Sequence, residues 1–201
     1  MHAQIKDVIL KTLVSVEPHI VSNLQKNPTS RVNCFELYGF DIMIDDKFKP
    51  WLLEVNVLPS LSSSSAFDKR IKTMVVCDAL TLIGIRGYDK KKFHAQDTQT
   101  LGLAPFAQSM TYLQLKQLNK FTGNEQLSKD ELELLMDLDD EFMRRGNFQR
   151  IFPLSSNAQY YEPFFEFKRY QNCLAQTYLK SSGSVRDKVL GKHKRVYFSE
   201  V

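Results

Sequence analysis

The sequence predicts an α+β fold, in which a helix, an antiparallel hairpin and a second helix precede a mainly helical extension. Three observations predict this order. Apolar residues recur at helical spacing over residues 3–25. Two apolar runs joined by a short polar turn occupy residues 35–60, as expected for a hairpin. Helical patterns then return after residue 108, so the chain contains one small sheet among helices.

The two helices that flank the hairpin are defined by their apolar spacing and by their ends. The first runs over residues 3–25 and ends before Pro28, and we expect it to cover one face of the hairpin. The second begins at Asp68, after a loop with a run of serines at residues 62–65, and ends at Gly84. The serine run lacks the glycines of a phosphate-binding loop and a neighbouring histidine base, so we interpret it as a connecting loop.

The register of the hairpin follows from the length of its turn. We take residues 46–49 as a four-residue loop, one of the lengths that commonly join antiparallel strands. Ile44 is then predicted to lie opposite Trp51, and Asp41 opposite Glu54. Directly opposite residues share a face, with Cβ atoms about 5 Å apart.

Three oxygen-bearing side chains therefore fall on one face of the hairpin. Because side chains alternate along a strand, Glu54 and Asn56 point the same way, and Asp41 joins them from the opposite strand. Mg²⁺ prefers oxygen ligands and is usually held by one or two carboxylates together with waters and substrate phosphates. Two acids and an amide are therefore a candidate site for a nucleotide-bound Mg²⁺, and the absence of a nearby cysteine or histidine argues against zinc.

Two other interpretations of the acids stay open at this stage. Acidic residues in strands often face solvent, as we expect for Asp45 and Asp46. Glu54, however, lies in an apolar run at residues 51–58 that is typical of a strand covered on both faces, where an unpaired charge is costly. A buried acid of this kind serves either in a metal site or in a structural ion pair.

The second half of the chain divides into a linker and a helical extension. Residues 1–85 form the helix, hairpin and helix unit. Residues 86–107 show no clear period and include a run of lysines, which predicts an exposed linker. The helical extension covers residues 108–179.

Two helices are predicted early in the extension, over residues 109–121 and 128–145. The second opens with a capping-box sequence, Ser128 to Glu131, and closes at Gly146. An aromatic-rich segment and a last amphipathic stretch follow, reaching about residue 179.

The net charge of +4 comes from the end of the chain, because the basic excess lies in residues 180–201. We predict a basic, disordered tail there, since chain termini are commonly poorly ordered. The alternative is a tail that attracts an acidic protein segment or nucleic acid. Aromatic residues of the extension follow no RNA-binding pattern, so no specific nucleic acid is expected.

Composition places the chain among ordinary globular proteins. Hydrophobic residues make up 43% of it, enough for a core, and its three cysteines are widely spaced, so we expect reduced thiols rather than disulfides. No apolar run approaches the roughly 18 residues of a membrane span, and the first residues lack the pattern of a secretory signal. We therefore expect a cytosolic or nuclear protein with no membrane partner.

The segments FELYGFDIMID and KPWLLEVNVLPSL, followed by DKRIK at residues 68–72, resemble the tubulin tyrosine ligase-like family, especially its glutamate-adding members. The resemblance implies that residues 1–85 are the C-terminal part of an ATP-grasp fold. It also implies a reaction in which ATP phosphorylates a carboxylate and the amino group of an incoming glutamate displaces the phosphate.

The same resemblance implies roles for individual residues and partners. Asp41, Glu54 and Asn56 are expected to hold the Mg²⁺ ions that bridge the ATP phosphates, and Lys72 to contact the carboxylate of the incoming glutamate, although an exposed helical lysine is the simpler interpretation. The implied partners are free L-glutamate and the acidic tails of tubulin in microtubules. The implied location is the cytoplasmic cytoskeleton, with the cilium or basal body included.

Departures from the family pattern bear on these expectations. Leu58 stands where the family usually has a serine before Pro59, so a loop hydroxyl is absent. Val57 favours the starting of glutamate chains over their extension. The upstream lysines that grip nucleotide phosphates are not in this chain, which predicts a C-terminal part of a longer ligase. The alternative function is a non-catalytic fragment that binds tubulin or microtubules.

Overall fold

A computed structural model describes residues 1–26, 34–84 and 127–191. Within them the first part of the chain consists of α1 (His2–Lys26), β1 (Gly39–Ile44), β2 (Pro50–Asn56) and α2 (Ala66–Ile83). The second part consists of α3 (Lys129–Arg144), α4 (Ala158–Tyr161), a 3₁₀ turn (Glu162–Phe164), α5 (Tyr170–Lys180) and α6 (Gly183–Leu190). The described chain is therefore helical with one small antiparallel two-stranded sheet, as predicted. The predicted linker at residues 86–107 and the predicted helix at residues 109–121 lie outside the described residues.

The helix ends form where the sequence places capping residues. Ser65 caps α2, with its Oγ accepting a hydrogen bond from the Asp68 backbone N–H at 3.1 Å, so the helix begins two residues before the predicted Asp68. Gly84 ends it in the left-handed conformation (φ 65°), which glycine adopts without a Cβ clash. In α3 both hydrogen bonds of the predicted capping box, between Ser128 and Glu131, are present.

The principal apolar core among the described residues lies in the extension. Leu135 of α3 and Leu174 and Tyr178 of α5 are fully buried there. The hydroxyl of Tyr178 donates to Asp139 at 2.7 Å, which satisfies the one polar group that this ring takes into the core. Burial and the Asp139 carboxylate together raise the pKa of Tyr178 far above its ordinary value, so the phenol remains protonated.

One prediction for the end of the chain is wrong. We expected residues 180–201 to form a disordered tail, but Ser182 caps α6, and Val189 and Leu190 are buried in the core of the extension. The prediction rested on the basic composition of the segment and overlooked these two apolar residues. Burial of their side chains offsets part of the conformational entropy lost when the segment becomes ordered. Residues 192–201 lie outside the described residues.

Helix α1 joins the hairpin to the extension. On one side it packs against β2, as predicted. On another it meets the aromatic segment: Arg169 donates two hydrogen bonds to the carboxylate of Glu17, at 2.8 and 2.9 Å, and the hydroxyl of Tyr161 donates to Asp7 at 2.9 Å. Burial and this hydrogen bond raise the pKa of Tyr161 to about 12. The extension is thus attached to the first helix by long-range polar contacts.

No helix in the described ranges is long and apolar enough to span a bilayer.

The Glu17–Arg169 pair gives a stability prediction. Its side chains are only 20% and 10% exposed, so the Arg169→Met variant leaves a largely buried carboxylate unpaired while keeping an apolar stem. We expect the free energy of unfolding to fall by about 2 kcal/mol in urea titrations. The matched control is Lys168→Met, which breaks the more exposed Lys168–Glu162 pair and should cost about 0.5 kcal/mol or less. Equal losses in the two variants would contradict this account.

Candidate functional site

The hairpin brings together Asp41, Glu54 and Asn56, the three residues that the sequence analysis predicts to hold Mg²⁺. Asp41 of β1 is paired directly with Glu54 of β2, and Gly39 is paired with Asn56, which confirms the predicted cross-strand pair. The Asn56 side-chain amide donates to the Glu54 carboxylate at 3.2 Å, so these two side chains lie on the same face. Gly39 faces Asn56 closely and an added Cβ there would lie 2.9 Å from Pro59. The small residue opposite Asn56 therefore leaves room for the loop that follows β2.

The register nearer the turn differs from the prediction. Ile44 pairs with Pro50, and Met43 with Trp51, whereas we expected Ile44 to pair with Trp51. A β-bulge between Asp41 and Ile42 on the β1 side leaves Leu53 as an extra residue of β2 and restores the pairing beyond it. The error at the turn and the unforeseen bulge cancel, which is why the predicted Asp41–Glu54 pair is nevertheless correct.

The structure of the turn explains the shift. Five residues, Asp45 to Lys49, separate the paired residues Ile44 and Pro50, one more than predicted, and the Asp45 backbone N–H donates to the Lys49 carbonyl at 3.1 Å across the base of this loop. The Asp45 carboxylate accepts from the backbone N–H groups of Lys47 and Lys49, at 3.0 and 2.8 Å, and from the indole N–H of Trp51 at 2.9 Å. Asp45 thus fixes the turn from inside, although we expected it simply to face solvent.

The prediction that β2 is covered on both faces is wrong for the described chain. Pro50 is buried, but the next four residues, which end at Glu54, are all exposed, with Trp51 at 46% and Leu53 at 62%. The apolar run is longer than the surface that α1 covers, so much of the strand faces outward. The argument that burial makes the charge of Glu54 costly therefore does not apply here.

The oxygen donors of the hairpin are of the kind that the predicted Mg²⁺ prefers. The described residues contain no group of three or more His, Cys, Asp or Glu side chains suited to a metal ion. The hairpin instead offers two carboxylates, from Asp41 and Glu54, and the amide oxygen of Asn56, which its contact with Glu54 leaves unused. An all-oxygen set of this size suits Mg²⁺, which takes its remaining ligands from water and phosphate. The residues present fit the ion.

Lys72 lies in the second turn of α2, and its polar contacts are local. Its ammonium donates to the carbonyl of Ser62 and forms an ion pair with Asp68 at 3.2 Å. The Asp68 carboxylate also accepts from the Ser64 backbone N–H at 3.2 Å. Lys72 therefore fastens the loop after β2 to the helix, and its described contacts do not include the three hairpin residues. The serine run is a connecting loop, as predicted, and its last residue, Ser65, also caps α2, which was not predicted.

Comparison with known proteins then identifies the region that holds the hairpin. The model of the tubulin-tyrosine ligase family matches residues 1–92. Residues 1–92 belong to the tubulin-tyrosine ligase family. This region, hereafter the ligase region, contains α1, the hairpin and α2, and thus all four of the residues that the sequence selected.

Individual relatives extend the similarity beyond the ligase region. Tubulin monoglutamylase TTLL4 of Homo sapiens is 35% identical over 85% of this chain and 16% of its own length. Tubulin polyglutamylase TTLL5 of Mus musculus is 32% identical over 96% of this chain and 16% of its own length. Tubulin polyglutamylase TTLL6 of Homo sapiens is 38% identical over 85% of this chain and 19% of its own length. The chain thus spans less than a fifth of the length of these curated relatives.

The sequence did not reveal the contact between α2 and the segment that follows α3. Asp78 of α2 accepts hydrogen bonds from the backbone and the side-chain amide of Asn147, at 2.9 and 2.8 Å, and these lower the pKa of its carboxyl group. Gly146, just before, is left-handed (φ 54°). The only sequence signal was Gly146, which we interpreted as a helix end, and nothing local to it indicated a partner 69 residues away.

The turn of the hairpin yields a prediction that uses the single tryptophan of the chain. The indole of Trp51, followed by the backbone N–H of Lys49, lowers the pKa of Asp45. Because the folded pKa is lowered, the stabilisation by Asp45 is complete above the ordinary aspartate pKa of about 3.9 and is lost as the pH falls through the folded value.

We therefore expect Trp51 fluorescence to change with a midpoint below about pH 3.9, as protonation of Asp45 removes the charged acceptor of the indole. In Asp45→Asn the acceptor is neutral at every pH, so this step should disappear. Asp46→Asn, which changes the adjacent exposed acid of the loop, is the matched control and should keep it. A step of equal size in Asp45→Asn would contradict the assignment.

Proposed function

We propose that the protein to which this chain belongs is an ATP-dependent ligase that adds glutamate to glutamate side chains in tubulin tails, and that the hairpin holds its Mg²⁺. The observation that carries the proposal is the pairing of Asp41 with Glu54, with Asn56 within hydrogen-bonding distance of Glu54. The relatives named above, all called tubulin monoglutamylases or polyglutamylases, support the choice of substrate.

In the proposed reaction a carboxylate oxygen of the acceptor glutamate attacks the γ-phosphorus of ATP and ADP leaves. The amino group of free L-glutamate then attacks the acyl carbon, phosphate leaves, and the nitrogen loses a proton as the isopeptide bond forms. Mg²⁺ held by Asp41, Glu54 and Asn56 would supply charge neutralisation at the phosphates. The hairpin contributes orientation, because paired strands hold the two carboxylates at a fixed separation.

Lys72 is proposed to contact the α- or γ-carboxylate of the incoming glutamate. Its ammonium already binds one carboxylate, that of Asp68, and one carbonyl, that of Ser62. It is about one-third exposed, so a third oxygen can approach it. An ammonium group has three donors, and this arrangement leaves one of them for a ligand.

Several finer features are part of the same proposal. An ATP-grasp fold completed by other parts of the protein would supply the grip on the nucleotide. Val57, directly after Asn56, favours the starting of glutamate chains. The proposed place of action is the microtubule cytoskeleton, including the cilium or basal body, where tubulin tails are available.

A second candidate function is binding to tubulin without catalysis. The observation that favours it is the separate apolar core of the extension, around Leu135, Leu174 and Tyr178, which does not depend on the hairpin for its burial. Such a body could present a surface to a partner whether or not the ligase region turns over.

The experiment that tests the proposal measures Mg²⁺-dependent incorporation of labelled glutamate into tubulin. It uses this chain and, in parallel, longer natural forms of the protein. We expect Asp41→Ala and Glu54→Ala each to lower incorporation by about 100-fold or more in the active form, since each removes a metal ligand. Asp46→Ala, a change of an exposed acid in the same hairpin, is the control and should keep near-full activity.

Removal of Mg²⁺ with a chelator should abolish incorporation, and adding Mg²⁺ back should restore it. Full activity of both Asp41→Ala and Glu54→Ala would refute the assigned site. If no form incorporates glutamate while the chain still sediments with microtubules, binding without catalysis is the better description.

A further inference from the structure

Helix α2 has few contacts that fix its position. None of its residues is buried, so apolar packing within the described chain does not hold it firmly. Its specific contacts are concentrated at its two ends. The N-terminal end is tied to the preceding loop by the Ser65 cap and by Lys72, and the C-terminal end is tied to the extension.

The tie at the C-terminal end centres on one carboxylate oxygen. Oδ2 of Asp78 accepts from both the backbone N–H and the side-chain amide of Asn147, at 2.9 and 2.8 Å. The backbone before Asn147 is shaped around this carboxylate: a Cβ on Gly146 would lie 2.5 Å from it, and Gly146 has a φ of 54° that disfavours other residues. Two donors on one acceptor restrict both the distance and the angle between α2 and the extension.

A second side chain of the extension reaches the same end of α2. The guanidinium of Arg144 donates to the Leu82 carbonyl at 3.4 Å and occupies the space beside Gly84, where a Cβ would lie 2.6 Å from it. A cation at the C-terminal end of a helix is also favoured by the helix dipole. The extension therefore holds the C-terminal half of α2 at two points, Asp78 and Leu82.

These contacts bear on Lys72 because it shares a helix with Asp78. The two residues are six positions apart, or about 9 Å along the axis. A helix transmits a displacement or a tilt of one turn to the next, since its backbone hydrogen bonds keep it rigid over that length. Loss of the tie at Asp78 would therefore shift or loosen the ammonium of Lys72 relative to the hairpin.

We propose that Asn147 is a positioning residue of the ligase site, which holds α2, and with it Lys72, in place for the incoming glutamate through its hydrogen bonds to Asp78. This inference rests on the proposed function. Asn147 lies beyond the residues 1–92 that the family model matches, so the extension completes the site instead of acting only as an attachment to it.

The test exchanges the two partners. Asn147→Asp places a second carboxylate against Asp78, whereas the double variant Asp78→Asn/Asn147→Asp restores an amide–carboxylate pair with the groups reversed. In the natural protein that incorporates glutamate, we expect Asn147→Asp to raise the KM for glutamate about tenfold and the KM for ATP by no more than about twofold. The double variant should return the KM for glutamate to within about threefold of the original value.

The matched control is Gln159→Glu, which also turns an amide into a carboxylate, but at an exposed position of the extension. It should leave both KM values unchanged. A second readout, hydrogen exchange followed by mass spectrometry, needs no activity and is made on this chain. Asn147→Asp should speed exchange across Ala66–Ile83, and the double variant should slow it again.

The outcomes separate the two proposals. If Asp41→Ala removes activity but Asn147→Asp leaves the KM for glutamate unchanged, the positioning role is overturned and the ligase function stands. The positioning role is also overturned if Asn147→Asp lowers kcat, raises both KM values alike and is not rescued by the double variant, because that is general destabilisation. If no form of the protein is a ligase, hydrogen exchange still tests the contact between Asp78 and Asn147. Unchanged exchange across α2 in Asn147→Asp overturns that contact as a tie, and faster exchange that the double variant reverses supports it.

Discussion

The bidentate pair between Glu17 and Arg169 is the interaction on which the arrangement of the two halves depends. It joins the first helix of the chain to a residue 152 positions later, and both side chains are largely withdrawn from water. Because α1 also packs against β2, this helix fixes the position of the hairpin relative to the extension. With the tie between Asp78 and Asn147, the ligase region meets the extension through α1 and through α2, and two separated attachments resist rotation better than one.

The hairpin shows how a correct pair can arise from local geometry that the sequence does not display. Asp45 closes a five-residue turn with its backbone and carboxylate, which moves the strand register by one residue, and the bulge at Leu53 moves it back. A one-residue shift exchanges the two faces of a strand. Without the bulge, Glu54 and Asn56 would lie on the face away from Asp41. The bulge is therefore a requirement of the proposed site rather than an irregularity of the strand.

Sequence reasoning succeeded where the determinants are local and failed where they are distant. Helix α1, the C-terminal end of α2 at Gly84 and the capping box at Ser128 follow from apolar period and from residues within one turn of each other, and all were predicted, whereas the start of α2 was placed two residues late. The exposure of β2 was not predicted, because an apolar run does not show how much of the strand neighbouring elements cover. The partners of Asp78 and Arg169 were not predicted either. Many donors and acids in the chain could pair with these two residues, and only the tertiary fold selects among them.

The exposure of the hairpin changes the electrostatic argument for a cation without removing it. Asp41 and Glu54 are directly opposite each other, and like charges in that relation destabilise a strand pair. Solvent lowers the cost, and the Asn56 amide offsets part of it by donating to Glu54. A divalent cation would convert the remaining repulsion into attraction to a common centre. In the proposed site the charge pair would thus be tolerable in the free hairpin and favourable with the cation bound, which is the difference in free energy that a binding site requires.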